Sequence, residues 1–302
     1  MTFEQFETLE VQTDETTIFL RHAGSGPAVL LLHGFPQTHL MWRDVAPALS
    51  RHFTVVCPDL RGYGRSGCPE SQPDHAPYTK RAMAIDMISV MGKLGFDHFS
   101  VAGHDRGGRV AYRLALDHPE VVQHLAVLDI VPTAAVWERA DRKLALAFWP
   151  WSVLAQPPPL PERLLSAAPD ALVDNALGAW GSDAAVFRPE VRAAYIQALR
   201  DPAHVHAICE EYRAAATLDE AHDLEDRRME RRITCPVLAL WSSRGGLHTW
   251  YEEIGGPLAV WRLWADDVRG QPLDAGHFFP EEIPQQCAEE LTAFFDPTCI
   301  AR

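Results

Sequence analysis

The sequence predicts an α/β fold in which helices flank a mostly parallel β-sheet and a helical cap is inserted into the sheet domain. Three observations support this prediction: short apolar runs alternate with helical segments, the alternation stops over residues 132–230, and it resumes towards the C-terminus. The chain has 302 residues, more than the ~150 of a typical domain but within reach of one large α/β domain with an insertion. Its 47% hydrophobic and 23% charged residues indicate a packed globular protein.

The first part of the chain contains the regular alternation. Residues 7–22 alternate polar and apolar side chains, which predicts an opening antiparallel hairpin. Residues 28–32 form a continuous apolar run, typical of a strand buried on both faces, and a helix is expected over 40–50. The units that follow are strand 53–57, helix 78–94, strand 99–102, helix 107–117 and strand 125–128.

The alternation stops after Asp129 and resumes at residues 236–241. Residues 132–230 show helical periodicity, many aromatic residues and no clear strand, so we interpret them as a cap over the carboxyl ends of the strands, where ligands of such sheets bind. The core is then expected to comprise residues 1–131 and 231–302. It should close with a strand before Gly276 and a helix over 283–295.

The charge balance restricts the partners. Lys and Arg number 27 against 41 Asp and Glu, a net charge of −14, which gives no electrostatic support for binding nucleic acid or an anionic membrane. An anionic substrate would be repelled by this charge. A site for such a substrate must therefore supply its own cations.

The cysteines and the first residues predict a cytoplasmic protein. The six cysteines form no C-x-x-C pair and no Cys/His cluster, so neither zinc nor a disulfide framework is indicated: Cys57, Cys68, Cys209, Cys235, Cys287 and Cys299. Residues 1–10 are acidic and lack the pattern of a signal peptide. The charge-free stretch 144–161 contains five prolines, which exclude a continuous membrane-spanning helix.

The segment Gly103–Gly108 lies between a predicted strand and a predicted helix and fits the nucleophile elbow G-x-S-x-G with Asp105 in place of serine. The alternative is an ordinary N-cap, in which Asp105 accepts hydrogen bonds from the helix start. Asp129 follows the next strand and His277 lies in a late loop, which is the chain order that an α/β-hydrolase fold requires for nucleophile, acid and base. This combination favours the elbow.

The chain resembles the α/β-hydrolases with an Asp nucleophile, which are haloalkane dehalogenases, epoxide hydrolases and, as the most similar group, fluoroacetate (haloacetate) dehalogenases. The motifs that carry the resemblance are His33-Gly34-Phe35-Pro36, Asp59–Ser66, Gly103–Gly107 and Ala275–Phe278. The resemblance implies that Asp105 attacks the halogen-bearing carbon and forms an ester, and that His277, oriented by Asp129, activates the water that hydrolyses it.

Two arginines supply the expected cations. Arg106 and Arg109 lie three residues apart at the start of one predicted helix, so both guanidinium groups can face the same anion. They match the pair that binds the substrate carboxylate in haloacetate dehalogenases. The alternative is two surface arginines paired with nearby acids.

The resemblance also assigns the remaining site residues. It implies an oxyanion hole made by the backbone amides of Phe35 and Arg106, and a halide pocket containing Trp151 and Tyr212, whose N–H and O–H groups are donors. The alternative for the last two is packing within the cap. Pro150 stands where the family has a histidine donor, so we expect weaker cleavage of C–F than of C–Cl or C–Br bonds.

The sequence therefore predicts a hydrolase that converts haloacetate-type 2-haloacids into 2-hydroxy acids. No nucleotide, metal or organic cofactor is implied, and Gly62, Gly64 and Gly67 belong to the family's loop and not to a dinucleotide site. The expected partners are an anionic small molecule, halide and, by resemblance, a second copy in a homodimer. One alternative is an epoxide hydrolase with Tyr212 and Tyr195 as proton donors, and another is a binding protein that has lost catalysis.

Overall fold

An eight-stranded sheet with the strand order β1-β2-β4-β3-β5-β6-β7-β8 forms the centre of the protein. The computed structural model describes residues 1–296. The strands are β1 Glu7–Gln12, β2 Thr17–Ala23, β3 Ala28–Leu32, β4 Thr54–Pro58, β5 Phe99–His104, β6 Val122–Leu128, β7 Val237–Ser242 and β8 Val268–Leu273. Strand β2 pairs antiparallel with β1 and β4, and all other neighbours are parallel. The predicted hairpin and the mostly parallel sheet are confirmed.

Helices cover both faces of the sheet. The helices that precede β6 are α1 Ala46–Leu49, α2 Lys80–Lys93 and α3 Arg106–Asp117, and those after β7 are α12 Gly246–Trp250, α13 Gly256–Trp261, α14 Phe279–Glu282 and α15 Pro284–Phe295. All five residues of β3 are buried. Leu30 belongs to one apolar cluster, whereas Val29 and Leu31 belong to a second cluster on the opposite face. Burial on both faces explains why this strand is continuously apolar in the sequence.

The described chain between β6 and β7 contains helices and no strand of the sheet. These helices are α4 Thr133–Glu138, α5 Arg142–Ala147, α6 Pro150–Val153, α7 Leu160–Ala167, α8 Pro169–Ala179, α9 Pro189–Ala198, α10 Pro202–Ala215 and α11 Leu218–Arg228. The division into a core and a cap at residues 132 and 230 stays a prediction. Within residues 1–296, none of the helices has the length and apolarity needed to cross a membrane.

Two expectations about helices differ from the structure. The helix expected over 40–50 is divided into a 3₁₀ turn, His39–Trp42, and α1. Pro47 explains the break, because its ring would clash with the carbonyl group four residues earlier in a continuous helix. Helices α12 and α13 were not predicted, and both are short and begin with a glycine. Five cysteines are free thiols, and Cys299 lies outside the described residues.

Candidate active site

Asp105 occupies a sharp turn between β5 and α3. Its backbone has φ +47° and ψ −115°, a conformation that L-residues rarely adopt. The turn requires glycines, because a Cβ atom on Gly103 would lie 2.3 Å from the carbonyl oxygen of Gly107. The Asp105 side chain makes no hydrogen bond to the helix start, so the N-cap interpretation is wrong and the turn has the geometry of a nucleophile elbow.

The structure brings the other two residues of the predicted triad together. Nδ1 of His277 lies 2.5 Å from Oδ2 of Asp129, and the amide of Ser242 donates to Oδ1 of Asp129 at 2.9 Å. Asp129 follows β6 with φ +53°, and the His277 amide donates to the carbonyl oxygen of Trp180 at 2.9 Å. A carboxylate on Nδ1 fixes the imidazole and leaves Nε2 for proton transfer.

Neighbouring charges shift the pKa values of His277 and Asp105. Burial alone would lower the pKa of His277, but the hydrogen bond to Asp129 and the negative charges of Asp129 and Asp105 outweigh it and raise that pKa. Burial alone would raise the pKa of Asp105, but the charges of His277 and Arg106 and the hydrogen bond from Phe35 lower it. Asp105 is therefore an ionised carboxylate at neutral pH.

The predicted oxyanion hole consists of the backbone N–H groups of Phe35 and Arg106. The Phe35 amide donates to Oδ1 of Asp105 at 2.9 Å. The Arg106 amide is the first of α3, and the first amides of a helix have no acceptor within the helix. The Phe35 amide therefore adjoins the carboxyl group of Asp105, and the role of the Arg106 amide stays a prediction.

Arg106 and Arg109 are 0% and 4% exposed, so the surface alternative is wrong. Arg106 donates from Nε to Oε1 of Glu211 at 2.6 Å and from Nη2 to the Glu211 carbonyl at 3.3 Å. Arg109 donates from Nη1 to the Val131 carbonyl at 2.9 Å and the Thr133 hydroxyl at 3.3 Å. Within residues 1–296, Nη1 of Arg106 and Nε of Arg109 are buried without an acceptor.

Trp151 and Tyr212 contact these two cations. The guanidinium carbon of Arg106 lies 4.1 Å from the ring centre of Tyr212, and that of Arg109 lies 4.4 Å from the ring centre of Trp151. Over the described part of the chain, neither the Trp151 indole nor the Tyr212 hydroxyl has a hydrogen-bond partner in the protein. Burial raises the pKa of Tyr212 well above its ordinary value, so its hydroxyl remains a donor. Their role as halide donors stays a prediction.

Pro150 and Tyr195 bear on the alternatives. Pro150 is the first residue of α6 and is buried, and it has no side-chain donor. The Tyr195 hydroxyl lies 3.2 Å from both carboxylate oxygens of Glu281. The two tyrosines named for epoxide opening therefore differ, since Tyr195 already has an acceptor.

Sequence reasoning missed Glu211, Lys80 and Tyr63, which form a buried group behind Arg106. Lys80 Nζ lies 2.5 Å from Oε1 of Glu211, and the Tyr63 hydroxyl donates to Oε2 at 2.5 Å. Their separation along the chain gives no local signal, although Glu211 adjoins Tyr212. In residues 1–296 no group of three or more His, Cys, Asp or Glu side chains is arranged to hold a metal ion.

Comparison with known proteins agrees with this architecture. Residues 27–247 match the family model described as alpha/beta hydrolase fold. A solved structure of an α/β-hydrolase from Nostoc sp PCC 7120 is 48% identical with a TM-score of 0.92, and the match covers 97% of this chain and 98% of that chain.

Two curated relatives match along almost their whole length. A fluoroacetate dehalogenase from Burkholderia sp is 45% identical over 97% of this chain and 94% of the relative. A soluble epoxide hydrolase from Corynebacterium sp. (strain C12) is 32% identical over 91% of this chain and 92% of the relative.

Proposed function

The chain belongs to the α/β-hydrolase family, and from this membership we propose that it hydrolyses the carbon–halogen bond of haloacetate-type 2-haloacids to give 2-hydroxy acids and halide. The observation that carries the proposal is the pair of buried guanidinium nitrogens on Arg106 and Arg109 that have no acceptor among residues 1–296. Both arginines are close enough to Asp105 for their charges to interact with its carboxylate. The similarity to a fluoroacetate dehalogenase over 97% of the chain supports it.

The arginine pair favours an anionic substrate. Among residues 1–296, Arg109 donates only to neutral oxygens, and both burial and the charge of Arg106 lower its pKa. Two cations held close together without a shared acceptor are costly in a buried site. A substrate carboxylate would relieve this cost by accepting from Nη1 of Arg106 and Nε of Arg109.

In the first step, Asp105 displaces the halide. Oδ1 accepts the Phe35 amide hydrogen bond, which leaves Oδ2 to attack the halogen-bearing carbon. The new C–O bond forms as the C–X electron pair leaves with the halide, and the product is an ester of Asp105. The carboxylate needs no base because its pKa is lowered.

In the second step, His277 takes a proton from water, which attacks the carbonyl carbon of the ester. The developing oxyanion derives from the Asp105 carboxyl group itself, and the amides of Phe35 and Arg106 stabilise it. Collapse of this intermediate breaks the bond between the Asp105 carbonyl carbon and the ester oxygen, His277 returns its proton to that oxygen, and the 2-hydroxy acid is released. The regenerated Asp105 carboxyl group then loses its proton to solvent. Ester formation also removes the Asp105 charge that raises the pKa of His277, so the base is neutral more often when it is needed.

The halide requires donors because it departs into a buried site. Trp151 and Tyr212 offer an N–H and an O–H that have no acceptor among residues 1–296. Pro150 adds none. Fluoride depends most on such donors, so chloroacetate and bromoacetate are the expected substrates and fluoroacetate a poorer one.

Epoxide hydrolysis is the second candidate, because the Tyr212 hydroxyl has no partner in the described chain and a soluble epoxide hydrolase is 32% identical. Two observations place it second. Tyr195 is held by Glu281, and a neutral epoxide would leave the buried nitrogens of Arg106 and Arg109 unpaired.

Halide release tests the proposal. Purified enzyme is incubated with chloroacetate, fluoroacetate and styrene oxide, with ion-selective detection of halide, chromatographic detection of diol and the Asp105→Asn variant as the control. We expect chloride release by the native enzyme only. Diol from styrene oxide without chloride from chloroacetate would favour epoxide hydrolysis, and tight haloacid binding without product would favour a binding protein.

The proposal includes a cytoplasmic homodimer, and light scattering of the purified protein measures its mass.

A further inference from the structure

Glu211 is a buried carboxylate beside the proposed active site, and none of the steps above uses it. It lies on α10 directly before Tyr212, and its side chain is 0% exposed. Its carboxylate meets α2 through Lys80, α3 through Arg106 and the loop after β4 through Tyr63. The carboxylate of Glu211 therefore lies between two buried cations, Lys80 and Arg106.

The contacts of Glu211 fix one guanidinium group. Oε1 accepts from Nε of Arg106 at 2.6 Å, and the backbone carbonyl of Glu211 accepts from Nη2 at 3.3 Å. These two bonds occupy the edge of the planar guanidinium group that is formed by Nε and Nη2. Nη1 is then the only guanidinium nitrogen of Arg106 without an acceptor among residues 1–296.

Glu211 is itself held in place. Oε1 lies 2.5 Å from Nζ of Lys80, and Oε2 accepts from the Tyr63 hydroxyl at 2.5 Å. The backbone amide of Lys80 donates to Oδ1 of Asp219 at 2.8 Å, and Nζ of Lys80 lies 3.5 Å from Oδ2 of Asp219. Burial alone would raise the pKa of Glu211, but the charges of Arg106 and Lys80 lower it to about 2. The acid therefore stays ionised and cannot rotate without breaking several contacts.

We propose that Glu211 is a positioning residue that holds Arg106 with Nη1 directed at the carboxylate of the substrate. The inference rests on the proposed haloacid substrate. Arginine has a long and flexible side chain, and a group that binds a substrate precisely needs neighbours that lock its rotamer. The Tyr212 ring lies against the same guanidinium group, 4.1 Å from its carbon, so one helix supports Arg106 at its face and at its edge.

The sign of the effect separates positioning from simple charge compensation. If Glu211 only compensated charge, its neutralisation would make the site more positive and would tighten the binding of an anion. If it positions Arg106, its neutralisation or shortening weakens anion binding, because the guanidinium can turn away.

The experiment compares Glu211→Gln, which loses the charge, with Glu211→Asp, which keeps the charge but shortens the reach. The readouts are KM and kcat for chloroacetate and the inhibition constant of acetate, a carboxylate without a leaving group. We expect both variants to raise KM and the acetate constant roughly tenfold, the effect of one charge-assisted hydrogen bond, and to change kcat less. Glu210→Gln is the matched control, since Glu210 lies on the same helix, is buried and pairs with Arg213 instead.

A milder variant keeps the test valid if the Glu211 variants do not fold. Tyr63→Phe removes the hydrogen bond to Oε2 and keeps every charge, and we expect it to raise the acetate constant about threefold. The inference would be overturned if the inhibition constant of acetate stayed the same or fell in the Glu211 variants that fold, or in Tyr63→Phe if neither of them folds. Chloride release by the native enzyme would still uphold the proposed function in that case. A native enzyme that releases no halide from any haloacid would overturn both.

Discussion

The backbone nitrogen of Phe35 lies 2.9 Å from Oδ1 of Asp105. The donor that stabilises the oxyanion in the proposed second step is therefore already bound to the carboxyl group that becomes this oxyanion. An amide that contacts the nucleophile before the reaction needs little reorganisation during it. The relationship depends on Gly34, because a Cβ atom at that position would lie 2.5 Å from Cβ of Asp105.

We expect Gly34→Ala to lower kcat for chloroacetate by about 10²-fold, because the added methyl group must separate the Phe35 loop from Asp105. Gly92→Ala is the control, since a Cβ atom at Gly92, within helix α2, would have nothing within 4 Å. The control should keep full activity and be equally or more stable by thermal melting. If Gly34→Ala and Gly92→Ala were equally active, catalysis would not depend on the present position of the Phe35 amide.

Arg109 should lower the stability of the fold and strengthen the binding of the substrate. Its guanidinium is buried and has no carboxylate partner in the described chain, so Arg109→Met should leave the melting temperature unchanged or raise it. The same variant should raise KM for chloroacetate at least about tenfold, because one of the two cations that bind the carboxylate is lost. Arg228→Met removes an exposed arginine and should change neither quantity. An unchanged KM in Arg109→Met would exclude Arg109 from substrate binding.

Pro150 should limit the cleavage of C–F bonds. Pro150→His adds a side-chain donor at the first residue of α6, a position where replacing proline breaks no helical hydrogen bond. We expect the ratio of kcat/KM for fluoroacetate to that for chloroacetate to rise about tenfold. Pro169→His makes the same change at the start of α8 and should leave the ratio as it is. A ratio that is no higher in Pro150→His than in native enzyme would contradict this explanation.

The pKa of His277 should depend on the charge of Asp105. That charge helps to raise the pKa, so Asp105→Asn, which mimics the uncharged ester, should lower it. A base is active above its pKa. Because the pKa of His277 should be lower in the ester than in the resting enzyme, ester hydrolysis should already be active at a pH below the resting-enzyme pKa. Histidine NMR titration of both proteins measures the difference, and equal pKa values would contradict the coupling.

Local patterns were sufficient to predict the sheet, the sharp turn at Asp105 and, through the order of the motifs, the meeting of Asp129 with His277. Buried parallel strands are continuously apolar, and the elbow needs glycines within a few residues of the nucleophile, so both leave marks in a short window of sequence. The broken helix at residues 40–50 could also have been anticipated, since Pro47 lies in its middle.

The group around Glu211 could not be predicted in this way. Lys80 and Tyr63 reach Glu211 across more than a hundred residues of chain, and an ion pair of that kind has no periodicity or spacing. The burial of Arg109 was expected only through the resemblance to haloacetate dehalogenases, because charged residues are mostly exposed and no local pattern indicates burial at this position.

Trapping the ester on Asp105 tests the central claim most directly. His277→Asn should still form the ester but hydrolyse it slowly, because the base is gone while the nucleophile and the arginines remain. After incubation with chloroacetate, mass spectrometry of peptides should show one carboxymethyl group on the peptide that contains Asp105, with one chloride released per protein chain. An unmodified Asp105 peptide together with normal release of glycolate would contradict the proposed mechanism.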